Sequence, residues 1–157
     1  MKVVETNVAI AANGRGTHAN LECQLACVVF LSDVVSKQSI VAIDDIGLML
    51  DEYAKHLSYK GQPDVGDEFF KYLHDHQYYA DRVLRVSITP NDMERSGFDE
   101  LPPNSMDPSD RKFLAVARKS GAKVFNALDT DWHENIKDIE AMGVAVEQLC
   151  PAHGCKI

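Results

Sequence analysis

Four carboxylates, Glu5, Glu52, Asp110 and Asp129, are spread along the 157 residues at positions from which they could meet. Hard carboxylate oxygens with no imidazole or thiolate among them suit Mg²⁺ or Mn²⁺ better than zinc or copper. The chemistry such a set points to is metal-assisted phosphodiester hydrolysis, in which a cation orients and deprotonates water and stabilises the leaving oxygen. Singly, each acid has an ordinary reading. Asp107 and Asp110 would cap a helix in any protein, Asp129-Thr130-Asp131 could be a turn, and Glu5 alone is unremarkable. Joint placement is what raises them above that.

The elements around the acids decide whether they meet. Lys2 to Val4 reads as a short buried strand, so Glu5 leaves its carboxyl end directly. Residues 7–12 make a helical turn or two before Asn13-Gly14-Arg15-Gly16 breaks them. Leu21, Leu25, Val28 and Val29 recur at helical spacing within 19–31, and 39–43 reads as a second strand. Asp44 and Asp45 open the next helix, at the end where its dipole favours acids. Its apolar arc of Ile46, Met49, Leu50, Tyr53 and Leu57 leaves Glu52 at the edge of the buried face. A carboxylate there needs a cation or hydrogen-bond donors to offset desolvation.

Residues 59–66 are turn-rich, a helix is expected over 67–77, a strand over 83–88, and 90–105 is a polar, Pro-containing stretch read as a loop free to move. Asp107-Pro108-Ser109-Asp110 is a strong helix start, with Asp107 as N-cap and Pro108 in the first helical position. That helix runs to Gly121, a strand at 124–128 delivers Asp129 and Asp131, and a helix at 135–142 and a strand at 144–149 complete the chain. Strands alternating with helices predict an α/β fold, three layers deep (α/β/α), around a mainly parallel central sheet. Ligands bind beyond the carboxyl ends of such strands, which is where Glu5, Asp110 and Asp129 are expected.

Composition sets outer bounds. Hydrophobic residues make up 45% and charged residues 25% of the chain, as in an ordinary folded domain, so residues 1–150 are read as one domain and 151–157 as a tail. No apolar run is long enough to cross a bilayer and no signal sequence is evident, which points to the cytoplasm. The net charge of −8 opposes broad attraction to nucleic acid but leaves room for a local basic site. Cys23 and Cys27 read as small core-facing side chains kept reduced. Cys150, His153 and Cys155 supply three potential zinc ligands without an obvious fourth, so a frayed tail, or a small local disulfide formed only on oxidation, is expected there.

Several segments together resemble the PIN domain family of nucleases. Val3-Val4-Glu5-Thr6-Asn7-Val8 is similar to the opening motif of that family, Leu50-Asp51-Glu52-Tyr53 to its second acidic motif, and 107–117 to its third. Ser120-Gly121-Ala122-Lys123, leading through a strand to Asp129-Thr130-Asp131-Trp132, is similar to its final motif. The resemblance covers nearly the whole chain. It implies that Glu5, Glu52, Asp110 and Asp129 are catalytic metal ligands for Mg²⁺ or Mn²⁺, with Asn7, Asp107 and Asp131 in support. It also implies a ribonuclease acting on single-stranded RNA, a small protein partner of the antitoxin type in some members, and compatibility with a homodimer. The family usually has Asp where this chain has Glu5, and the extra methylene shifts the carboxylate outward by about one carbon–carbon bond.

Arg111, Lys112, Arg118 and Lys119 recur seven apart on one helix face and form a basic stripe that could steer a nucleic-acid strand, though a solvated face is the plainer reading. Lys55 and Lys60 are weaker candidates. Two alternatives stand beside the ribonuclease: a PIN-like binding module with lost or weakened nuclease activity, and a small-molecule phosphohydrolase, for which Asn13-Gly14-Arg15-Gly16 is a poor phosphate loop.

Overall fold

The computed structural model describes residues 1–60 and 64–151. The expected turn at 59–66 falls partly outside these residues, and of the tail only Pro151 lies within them, so His153 and Cys155 fall outside. Five strands, β1 (Lys2–Val4), β2 (Val41–Asp44), β3 (Val83–Val86), β4 (Lys123–Asn126) and β5 (Val146–Gln148), form one sheet in the order β3-β2-β1-β4-β5. Every pairing is parallel. Helices α1 (Thr6–Asn13), α2 (Leu21–Ser36), α3 (Leu48–Ala54), α4 (Val65–His76), α5 (Arg111–Ser120), α6 (Asp131–Glu134) and α7 (Ile136–Ala141) supply the crossovers. The fold is therefore the three-layer α/β arrangement expected. No helix among the described residues is long and apolar enough to cross a membrane.

Placing β1 between β2 and β4 is what makes the site, because parallel neighbours deliver their carboxyl ends to one edge. Val3 and Val4 are fully buried and pair in register with Val124 and Phe125, so the residues after Val4 and after Asn126 emerge side by side. Helix α5 lays Phe113, Leu114 and Ala117 against the sheet. Helices α1, α2 and α4 pack on one another, and Phe30 of α2 stacks on Phe125 of β4 at 4.6 Å. At Gly66 a side chain has no room, since a Cβ would lie 2.1 Å from the Ala9 carbonyl oxygen, so α4 begins in direct backbone contact with α1.

Helix α2 corrects the periodicity reading. Leu21, Leu25 and Val29 are 81%, 63% and 53% exposed, while Cys23, Cys27, Leu31 and Val34 form the buried face. Apolar residues surround most of this helix, so spacing alone does not select the face that packs. The helix also continues to Ser36, and β2 starts later, at Val41. The cysteine expectations change as well. Cys23 is not a reduced thiol but is bonded across 127 residues to Cys150, expected in a local pair with Cys155, because β5 brings Cys150 to the start of α2. Cys27 is a buried free thiol, and burial pushes its pKa up to about 12.

The segment between β3 and α5 is irregular, as expected, and carries hydrogen bonds of its own and to α5. Asn91 N–H donates to the Gly97 carbonyl and Asp99 N–H to that of Thr89, and Phe98 is buried. Arg118 and Lys119 donate to the carbonyls of Glu100 and Ser87 at 2.8 and 2.5 Å. Half of the predicted basic stripe thus holds this loop against α5.

Candidate metal centre

Glu5 occupies the N-cap of α1. Its Oε2 accepts a hydrogen bond from the Asn7 backbone N–H at 2.8 Å and another from the Asn7 side-chain amide. Asn7 in turn braces the far strand: its Oδ1 accepts from the N–H groups of Ala127 and Leu128 at 2.9 and 3.0 Å. Its Nδ2 also donates to Asn126 Oδ1 at 2.9 Å. Asn126, fully buried at the end of β4, donates to the Asp129 carbonyl at 2.9 Å and to Gln148 Oε1 at 2.7 Å. The two asparagines fix the turn that presents Asp129, whose Oδ1 caps the Asp131 N–H at 2.9 Å. Trp132, completely buried, anchors the far side of that turn.

Asp110 comes from the other direction. Asp107 accepts from Ser109 N–H at 2.9 Å and from its hydroxyl at 2.6 Å, starting a single 3₁₀ turn, Pro108–Asp110, that leads into α5. That start turns Asp110 inward, where it is buried. Carboxylate oxygens of Glu5, Asp110 and Asp129 lie within 4.8 Å of one another, and so do those of Asp107, Asp110 and Asp131. Asp110 belongs to both groups. Together they form one acidic seam along the carboxyl edge of the sheet.

Glu52 stands apart from both groups. It lines the same cleft with its side chain 18% exposed, as its place at the edge of the α3 face requires, but its Oε2 pairs with Lys55 Nζ at 2.9 Å. Its charge still reaches Glu5. The basic residues predicted on α5 are turned to other tasks: Arg111 donates to the Met106 carbonyl at 3.0 Å and Lys112 to that of Ser109 at 2.6 Å. Arg15 of the glycine-containing break pairs with Asp64 and Asp67 at 2.7 and 2.8 Å, and Gly14 is the left-handed C-cap of α1.

The electrostatics of the inner part of the seam are those of crowded, buried acids. Burial, opposed by the Asn7 backbone hydrogen bond and aided by the charges of Asp129 and Glu52, raises the Glu5 pKa to about 7. Burial, then the charges of Glu5 and Asp129, pushes Asp110 well above the usual carboxylate range, and its carboxyl shares a hydrogen bond with Asp129. Burial followed by Asp129 raises Asp131 too, whereas its hydrogen bonds with Ser109 hold Asp107 low. Thr6 adds a second sign of an incomplete site: it lines the cleft, is buried, and its Oγ1 has no hydrogen-bond partner among the described residues. The cleft itself is an open space of about 340 Å³.

Four contributors escaped the sequence reading. Asn126 could have been noticed, since an asparagine ending the apolar run Val124-Phe125 is unfavourable in a strand without a specific partner. His18, His56 and Thr6 line the cleft from loop and helix-end positions that no local pattern marks. No known protein family, curated protein or solved structure matches this chain.

Proposed function

We propose that this chain is a metal-dependent nuclease of PIN type that cleaves single-stranded RNA. The observation that carries this reading is the pair of carboxylate groups sharing Asp110 at the open edge of a parallel sheet. Their donor set, all hard oxygens, fits Mg²⁺ or Mn²⁺. Glu5, Asp110 and Asp129 would hold one cation, and Asp107, Asp110 and Asp131 are grouped to hold another. A bound divalent cation supplies Lewis-acid polarisation of a phosphoryl oxygen and a lowered pKa for the attacking water. The rest falls to the chain: Asn7 and Asn126 hold Asp129 in place, and the turn capped by Asp107 aims Asp110. His18, His56 and the Thr6 hydroxyl offer polar contacts for a phosphate or ribose in the cleft. The open shape suits a flexible single strand better than a small enclosed metabolite.

The runner-up is a PIN-like binding module with weakened activity, and a specific observation favours it. Glu5 spends lone pairs on capping α1, so fewer remain for a cation. Cleavage of end-labelled single-stranded RNA in Mn²⁺ or Mg²⁺ by wild type, Asp110→Asn and Glu5→Asp decides the matter. Metal-dependent cutting that Asp110→Asn abolishes supports the nuclease. No cutting by wild type, restored by Glu5→Asp, supports the weakened module. Equal cutting by all three removes the reading.

A further inference from the structure

At the start of α2, the sulfur atoms of Cys23, Cys27 and Cys150 lie within 4.8 Å of one another, all three buried. Cys23 and Cys27 share a face of α2 one helical turn apart, and Cys150 follows β5. A disulfide needs only two of these sulfurs. Cys27 contributes nothing to the Cys23–Cys150 bond, yet it stands within ligand reach of both partners. Beside the pair is a small cavity of about 90 Å³, bordered by Asn20, Glu22, Ala26 and Leu149, which leaves room for a further light donor. Cys150 Sγ also lies 3.7 Å from the Cys23 carbonyl oxygen, a contact to which a thiol can donate and a disulfide cannot. On reduction, a Cys150 thiol therefore has a carbonyl acceptor within reach.

We propose that reduction of the Cys23–Cys150 disulfide converts this cluster into a zinc site, with Cys23, Cys27 and Cys150 as protein ligands and the fourth position facing the cavity. A dithiol supplies the electrons: its two S–H groups become a disulfide, and the Cys23–Cys150 bond becomes two thiols, with two protons transferred. Zinc then displaces the thiol protons to solvent as each Zn–S bond forms. Three soft thiolates with one lighter donor is an ordinary zinc set. It is also the opposite of the cleft's hard oxygens, so the two clusters select different metals by donor chemistry. The inference does not rest on the nuclease reading.

The test uses the full chain, reduced with dithiothreitol, desalted without oxygen and titrated with Co²⁺ as a spectroscopic stand-in for zinc. Reduced wild type is expected to bind one Co²⁺ with a near-ultraviolet thiolate-to-cobalt band that Zn²⁺ removes, and the disulfide form to show no such band. Cys27→Ser keeps the disulfide partners and should lose about a third of the band per bound Co²⁺, three thiolates becoming two, and bind zinc at least about 10-fold more weakly. Asp110→Asn should leave the band unchanged. Should Cys27→Ser misfold, Cys27→Ala gives the same comparison without a buried hydroxyl. Zinc protection of Cys23, Cys27 and Cys150 of reduced wild type from alkylation, read by mass spectrometry, gives it without any variant. A reduced wild type with no thiolate band, or Cys27 variants that match wild type in band and affinity, overturns the site.

Discussion

Asp44 and Asp110 are both buried aspartates, and they are satisfied in opposite ways. Asp44 ends β2 and accepts from the N–H groups of Ile46, Leu48 and Met49 at 3.1, 2.8 and 2.7 Å, so it is a finished helix cap. Asp110 faces other carboxyls. Asp110→Asn should therefore raise the stability of the cation-free protein by about 1–2 kcal/mol, as relief of a strained site commonly does, while abolishing the rise in melting temperature that Mn²⁺ gives wild type. Differential scanning fluorimetry with and without Mn²⁺ reads both. Glu5 adds a pH dependence whose sign follows from its raised pKa. Between the unfolded value of 4.5 and the folded value of about 7 the native state holds a proton that the unfolded chain has released. Its contribution is complete below about pH 4.5 and is lost as pH rises through 7, a change of about 3 kcal/mol. Urea midpoints of cation-free protein should fall over pH 5–8, and Glu5→Gln should flatten the fall. Asn7→Ala, which releases the turn before Asp129, should weaken Mn²⁺ binding about 10–100-fold in calorimetry.

Among the elements, what could be read from sequence was what is encoded locally. The Asp107-Pro108-Ser109-Asp110 start and the Gly121 stop of α5 are short-range devices, and both stand where their chemistry put them. The order of strands and helices was legible for the same reason, through runs of apolar residues bounded by turn formers. The bracing of Asn7 against Ala127 and Leu128 spans about 120 positions, the Cys23–Cys150 bond spans 127, and neither leaves a local trace. Glu52 shows the boundary between the two. Its helical phase was readable, but its pairing with Lys55 and its distance from the other acids depend on how α3 docks. That docking runs through Tyr53, fully buried, whose hydroxyl donates to the Val4 carbonyl beside Glu5 and whose ring meets Phe69 and Phe113 edge-on at 6.0 and 6.2 Å. Tyr53→Phe should cost about 1 kcal/mol in urea denaturation, the net value of one buried hydrogen bond. Gly66→Ala should cost about 1–3 kcal/mol or more, because α4 must move off the Ala9 carbonyl.

For the molecule as a whole, the disulfide closes nearly the entire chain into one loop. On a chain-entropy account a loop of 127 residues is worth about 4–5 kcal/mol, so a reductant should lower the urea midpoint markedly in the absence of zinc. The position of β1 reaches further. Strand β1 is made before the other four and is central in the sheet, and its neighbour β4 begins only at Lys123. At a synthesis rate of roughly 5–20 residues per second, Glu5 waits about 6–25 s for the Asp129 that stands beside it in the folded protein. During that interval β1 has no neighbour on one side, and no nascent chain, however long it pauses, owns a complete acidic seam. Biosynthesis itself thus acts as a timer: whatever chemistry this edge performs is withheld until Asp129 and Asp131 have been made.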